Sequence, residues 1–238
     1  MEIGEIISDA IHYPLNHTKS LLVYIVITFI MAVIALVTGA GLIVGANADN
    51  IMGAGIIGLV GFILMMIVGL LLEGYGLDII KFGIEKSDAA PEIDIGSQVM
   101  KGLKYLIVSI VYLIIPFIVM ILLSAINDTL GAIVGIILFI IFGLALLMGE
   151  CRLAKTGELG YALNIPEAIK DITDVGIIKV LAVIIIIVII VAILSWISGL
   201  FGNWGTIGAI ITAILNAVIG AYTFLFSNRA IGLMYSDA

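Results

Sequence analysis

The chain has 238 residues, 63% of them hydrophobic and 11% charged, with a formal net charge of −7, and its mean hydropathy is +1.34. Soluble domains run at roughly 45–50% apolar and about 25% charged residues, and a water-soluble fold of this length has no core large enough to hide the excess. A soluble enzyme, a disulfide scaffold and a disordered tail are excluded together. The single cysteine, Cys151, leaves no internal disulfide and no cysteine-based zinc site.

Taken from the N-terminus, Ile3, Ile6, Ile7, Ala10 and Ile11 fall on one helical face and Glu5, Ser8, Asp9 and His12 on the other. This predicts an amphipathic helix that Pro14 ends and that rests on the membrane surface. Residues 1–20 carry Glu2, Glu5 and Asp9 and do not read as a cleavable signal. Six stretches then supply the 20 or so apolar residues that a spanning helix needs: Leu21–Ala46, Ile51–Leu72, Leu103–Ile126, Leu130–Gly149, Val180–Leu200 and Thr206–Phe226. The fifth contains Val180–Leu194, fifteen consecutive aliphatic residues whose length without a turn residue favours helix over buried strand. Pro116 is expected to kink the third span. Further interfacial helices are expected ahead of the third span, beginning at Asp94, and ahead of the fifth. In the latter, Asn164 is the natural N-cap, and Ile165, Ala168, Ile169 and Ile172 oppose Glu167, Lys170, Asp171 and Asp174.

The spans come in three close pairs, joined by Asn47–Asn50, Asn127–Thr129 and Phe201–Gly205. The fold expected is therefore all-α: a polytopic membrane protein of six transmembrane helices arranged as three helical hairpins, each preceded by a cytoplasmic interfacial helix. All ten Lys and Arg residues flank the pairs and none lies at a tip, so both termini are expected in the cytoplasm of a cell-membrane protein. Fifteen of the seventeen acidic residues share that side, which argues against nucleic acid and against a polybasic lipid patch.

One domain with three pseudo-repeats, about 3–86, 95–157 and 165–238, accounts for the order. The openings Ile3-Gly-Glu-Ile-Ile, Ile95-Gly-Ser-Gln-Val and Ile165-Pro-Glu-Ala-Ile are alike. The exit Gly74–Gly83 aligns with Gly149–Gly157, laying Lys81 on Lys155, and Ser227–Gly232 gives a weaker third copy. Two-span repeats share one orientation, so the inverted-repeat transporter plan does not apply. Ala10-Ile-His-Tyr-Pro14, the stretch from Gly74-Tyr-Gly-Leu through Pro91-Glu-Ile-Asp to Lys101-Gly-Leu-Lys, and Arg152-Leu-Ala-Lys-Thr-Gly-Glu158 followed by Ala162-Leu resemble an uncharacterised archaeal family of six-span proteins, a domain of unknown function. In plan it is similar to the membrane domain fused to some bacterial glycerophosphodiester phosphodiesterases. The resemblance implies an architecture and no activity, because the soluble phosphodiesterase domain has no counterpart here.

Signals of chemistry are few. His12 and His17 are splayed about Pro14 and do not form a metal pair; Gly74-Tyr75-Gly76 follows a glutamate, not the Thr-Val of a potassium filter. Gly41/Gly45, Gly131/Gly135 and Gly55/Gly58/Gly61 form small-residue ridges for helix packing, with a second copy of the chain as the other use. The Asn127-Asp-Thr129 sequon lies too near the membrane for glycosylation, and juxtamembrane Cys151 is a lesser candidate for acylation. Glu73 and Glu150 lie at the cytoplasmic ends of spans, leaving no charge near a midplane. The expectation is a non-enzyme without cofactor or metal: a scaffold, accessory subunit or lipid-organising module. Its interaction surface is expected to comprise Glu5, Asp9, Asp78, Lys81, Arg152, Lys155, Glu167 and Lys170. Its partners are expected to be membrane lipids, a membrane protein or a second copy, and the alternative is a pore or transporter for a neutral or lipid-like solute.

Overall fold

A computed structural model describes residues 1–48, 50–201 and 204–237, apart from the side chains of Thr206 and Ala209. Among them every regular element is helical: α1 (Ile3–Asn16), α2 (Thr18–Asn47), α3 (Ile51–Ile84), α4 (Ile95–Ser124), α5 (Asp128–Thr156), α6 (Leu159–Ala162), α7 (Ile165–Val175), α8 (Ile177–Gly199) and α9 (Gly205–Tyr235). Six of them, α2, α3, α4, α5, α8 and α9, are long and apolar enough to cross a membrane. The chain is a multi-pass membrane protein.

Local chemistry starts these helices where the sequence marks them. Asn50 accepts from the Gly53 N–H at 2.9 Å and Asn127 from the Leu130 N–H at 3.0 Å, so an asparagine caps α3 and another caps α5 at the tips. Asp94 accepts from the Ser97 N–H at 3.1 Å to open α4, and Asn164 accepts from the Glu167 N–H to open α7. Asp49, Gly202 and Asn203, on two of the tips, lie outside the described residues.

Several boundaries differ from the sequence expectation. Helix α1 runs through Pro14 to Asn16, and α2 resumes after His17. The proline falls in the last turn, where its lost N–H removes a single helical bond. His17 fills the break: its ring nitrogens lie 3.0 Å from the Tyr13 carbonyl oxygen and 2.8 Å from that of Asp88. Helices α3 and α5 continue 12 and 7 residues past the expected span ends Leu72 and Gly149, because helical hydrogen bonding does not stop where apolar composition does. Gly74 is therefore not at a helix exit. It lies inside α3, where a Cβ would collide with the Gln98 carbonyl of α4.

Helix α2 packs on α3, α4 on α5 and α8 on α9, while α3 also meets α4, α5 and α9. Most ridge glycines serve these internal contacts: a Cβ on Gly41 would press Ile57 at 2.8 Å, one on Gly45 would press Ala54 at 2.8 Å, and one on Gly135 would press Met120 at 2.7 Å, while Gly55 faces open space. Close packing gathers at the end that carries both termini. There Ile6 and Ala10 of α1, Ile80 of α3, Met148 and Cys151 of α5, and Leu233 and Met234 of α9 share one buried cluster. The burial of Cys151 removes it from acylation. The apolar faces of α1 and α7, expected against the bilayer, are largely covered by protein. Ile6 and Ala10 are buried on a helix that packs on α9, and Ala168, Ile172 and Val175 on one that packs on α5. Ile3, Ile7 and Ile11 are half-buried and Ile169 is exposed.

Candidate functional site

Three ion pairs organise the end that carries the termini. Arg229 of α9 is only 1% exposed. It holds Asp9 of α1 in a fork, Nε to Oδ1 at 2.8 Å and Nη2 to Oδ2 at 3.3 Å, and donates from Nη1 to the Ser87 carbonyl at 2.6 Å. Its guanidinium also lies 4.8 Å from the centre of the Tyr13 ring. The Tyr13 hydroxyl donates to the Ala89 carbonyl at 2.9 Å, and burial raises its pKa above the ordinary phenol range.

Arg152 of α5 repeats the arrangement with Asp171 of α7. Its Nη1 donates to Asp171 Oδ2 at 2.7 Å, its Nε donates to the Tyr161 carbonyl at 3.1 Å, and Tyr161 stacks over the guanidinium. The Tyr235 hydroxyl of α9 donates to the same Asp171 oxygen at 2.7 Å. Planar guanidinium groups suit such buried, multiply bonded sites. The third pair reverses the charges: Asp78 of α3 accepts from Lys101 Nζ of α4 at 2.5 Å and from Gln98 Nε2 at 3.1 Å.

This third pair opens on a pocket of about 120 Å³ between α3, α4 and α5. Lys81, Lys101, Lys104 and Lys155 line it, with Asp78, Leu77, Leu153 and Gly157. Gly157, in the left-handed conformation with φ of +71°, ends α5. Lys104 Nζ donates to the Gly157 carbonyl at 2.7 Å, Lys81 lies 3.9 Å from Glu85, and Lys155 Nζ sits 5.5 Å from the centre of the Tyr235 ring. Four lysines thus line one concavity, with Asp78 in its wall and Glu85 beside Lys81.

Of the residues expected on an interaction surface, Asp78, Lys81 and Lys155 come together at this pocket. Asp9 is held by Arg229, and Arg152 is 4% exposed. Arg152 acts as a structural clamp, its buried charge met by Asp171, the Tyr161 carbonyl and the Tyr161 ring. Glu5 accepts from the Glu2 N–H at 2.9 Å and so caps α1; it lies exposed, as do Glu167 and Lys170 on α7, and none of the three lines the pocket. Sequence reasoning missed Arg229, Asp171, Lys101 and Lys104 as members of the site. One signal was available. Asp9, Lys101 and Asp171 each follow the aligned isoleucines Ile3, Ile95 and Ile165 by six residues, and Asp78 and Arg152 each precede the aligned lysines Lys81 and Lys155 by three.

The sequence profile of a family described as "Protein of unknown function (DUF4013)" matches residues 60–203. The uncharacterized protein MJ1189 of Methanocaldococcus jannaschii is 24% identical over 221 residues, an alignment that covers 82% of this chain and 78% of that protein. No solved structure matches the chain.

Proposed function

The chain belongs to the DUF4013 family, and we propose that it is a non-catalytic membrane protein that organises lipid through its cytoplasmic end. The observation that carries this reading is the convergence of Lys81, Lys101, Lys104 and Lys155 on one pocket where the spans leave the bilayer. The acidic excess of that side argues against a diffuse polybasic patch, whereas a local basic pocket between spanning helices suits an anionic headgroup. The orientation follows from the Lys and Arg distribution, with all ten on the side of the termini.

Two outward-opening clefts complement the pocket. One, of about 360 Å³, is walled by Val33, Val37, Ile56, Val60 and Leu64 of α2 and α3; the other, of about 480 Å³, by Phe139, Ile140, Leu144, Leu181 and Val188 of α5 and α8. Their apolar walls suit acyl chains.

The three ion pairs support the reading of the chain as three repeats. Each ties the exit of one hairpin to the segment that opens the next: α3 to α4, α5 to α7, and α9 back to α1. The last link makes the order cyclic, which supports a reading of the opening segments as a belt around the charged end. Glu5, Glu167 and Lys170 form the wetted face of that belt.

Charge reversal tests the reading. The double substitution Lys81→Glu/Lys155→Glu is expected to lower the enrichment of anionic over zwitterionic lipid around the protein in mixed nanodiscs several-fold, with insertion and helicity intact. Unchanged enrichment, or flux of a neutral solute into proteoliposomes that survives the reversal, would overturn it in favour of transport.

A further inference from the structure

We propose that the pocket between α3, α4 and α5 is a binding site for a phosphate group. The inference rests on the lipid-organising reading and deepens it by naming the group that the pocket takes.

Charge is the first argument. Each ammonium carries three N–H donors. Lys101 commits one to Asp78 and Lys104 one to the Gly157 carbonyl, which leaves donors on both for a further acceptor. With Lys155 left aside, the three cations Lys81, Lys101 and Lys104 against Asp78 and Glu85 still leave the concavity net positive. Like charges gathered between low-dielectric walls focus their field on the space between them, and an anion there relieves the repulsion. Lysine serves well as a point-charge ligand for phosphate.

Size is the second. About 120 Å³ is well below the roughly 300–1,000 Å³ of pockets that enclose whole small molecules. It suits a compact anion, or the phosphate of a larger molecule whose remainder lies outside.

Depth is the third. Asp78 stands 27 residues from the start of α3 at Ile51, and Lys155 stands 27 from the start of α5 at Asp128. At ~1.5 Å per residue both are about 40 Å from the tips. A bilayer measures about 40–45 Å with its headgroups, so the pocket lies at the level of the near leaflet's phosphates. Leu77, Leu153 and Ala154 supply the apolar part of its wall.

The shared chemistry is a phosphate group, and the two sources are a lipid headgroup and the free ion. The test uses the full chain purified in detergent and in nanodiscs, probed with inorganic phosphate and with phosphatidic acid in a phosphatidylcholine background. The wild type is expected to hold phosphatidic acid, inorganic phosphate or both, and Lys81→Gln/Lys104→Gln is expected to weaken that binding at least tenfold. Lys19→Gln, exposed on α2 and absent from the lining of the pocket, is expected to leave it unchanged. Binding of inorganic phosphate in detergent assigns the free ion; binding of phosphatidic acid alone assigns the headgroup. Asp78→Asn provides a second variant that removes the opposing charge with little change of shape, and it is expected to tighten binding several-fold. Failure of both probes to bind, equal binding by the double variant and the wild type, or weaker binding by Asp78→Asn would overturn the proposal. If both probes fail while Lys81→Glu/Lys155→Glu still loses anionic-lipid enrichment, the lipid-organising reading stands and the phosphate site falls.

Discussion

At the end of the bundle that carries the termini, Tyr13, Tyr112, Met148 and Arg229 are almost wholly enclosed, while at the tip end Ile51 and Ile126 are 83% and 78% exposed. Composition alone does not explain the difference, since the exposed residues are the more apolar ones. In lipid, a helix gains little by trading contact with acyl chains for contact with another helix, because both are apolar. Where the helices leave the bilayer, the hydrophobic effect returns, backbone groups compete with water, and α1, α6 and α7 add covering layers. The tightly built part of this protein is the end where α3 and α5 run on past their apolar stretches and α1, α6 and α7 cover them. There, arginines and carboxylates pair in buried sites, whereas near the tips the helices meet through glycine contacts such as Gly45 on Ala54 and Gly131 on Ser124.

The largest expected effect lies at the enclosed guanidinium groups. Arg152→Ala leaves Asp171, itself 8% exposed, facing Tyr235 without its cation. Removing one partner of a buried pair costs about 3–5 kcal/mol. Thermal unfolding in detergent should show that loss for Arg152→Ala, and a smaller one for Arg229→Ala, because Asp9 is 38% exposed and water can take over part of the role. Equal and negligible effects would remove the contrast between the two ends.

Helix contacts sharpen the same contrast at a lower level. Gly74→Ala places a Cβ against the Gln98 carbonyl and should cost about 1–3 kcal/mol, as overpacking does. Gly55→Ala, near the tip and with open space around it, should fall within about 0.5 kcal/mol of the parent. The comparison requires only two melting curves.

The reversed pair offers a subtler probe. Asp78→Lys and Lys101→Asp each set like charges together, and the double substitution restores a pair in the order used by Arg152–Asp171 and Arg229–Asp9. With Lys101 39% exposed, a double-mutant cycle should return a coupling of about 0.5–1 kcal/mol. A coupling of zero would make this contact incidental.

The smallest effect concerns Asp237. Its carboxyl is held well below the usual range by hydrogen bonds from Lys179 and from the Met1 amino group, with Lys86 adding to them. A carboxylate whose pKa is depressed by folding contributes its full stabilisation above the ordinary carboxylate range and loses it as the pH falls through the folded value. The melting difference between the parent and Asp237→Asn should therefore be constant between about pH 5 and pH 7 and shrink as the pH falls below that window. Exposure of the side chain keeps the effect small.

What could be read in the sequence is what local chemistry decides. Twenty-residue apolar runs identify the spans, and Asp94 and Asn164 mark the helix starts because a side-chain cap acts within three residues. The ends of α3 and α5 were harder, since leaving lipid changes the composition without breaking the helix. The ion pairs were harder still. Arg229 reads as one more flanking cation, and its partner lies 220 positions away. Lys101 and Lys104 likewise read as solvated flank until α3 and α5 close around them. Their pairing depends on which helix ends meet, a property of the whole packing arrangement and not of any window of residues.

The link between α9 and α1 has a consequence for how the chain is made. A ribosome adding ~5–20 residues per second takes roughly 10–45 s to extend the chain from Asp9 to Arg229. Throughout that interval Ile6, Ala10 and Tyr13 have been synthesised, but α9, the helix that later encloses them, has not. The nascent α1 therefore needs an interim shelter for its apolar face, and the surface of the membrane into which the first spans have just been inserted is the nearest one.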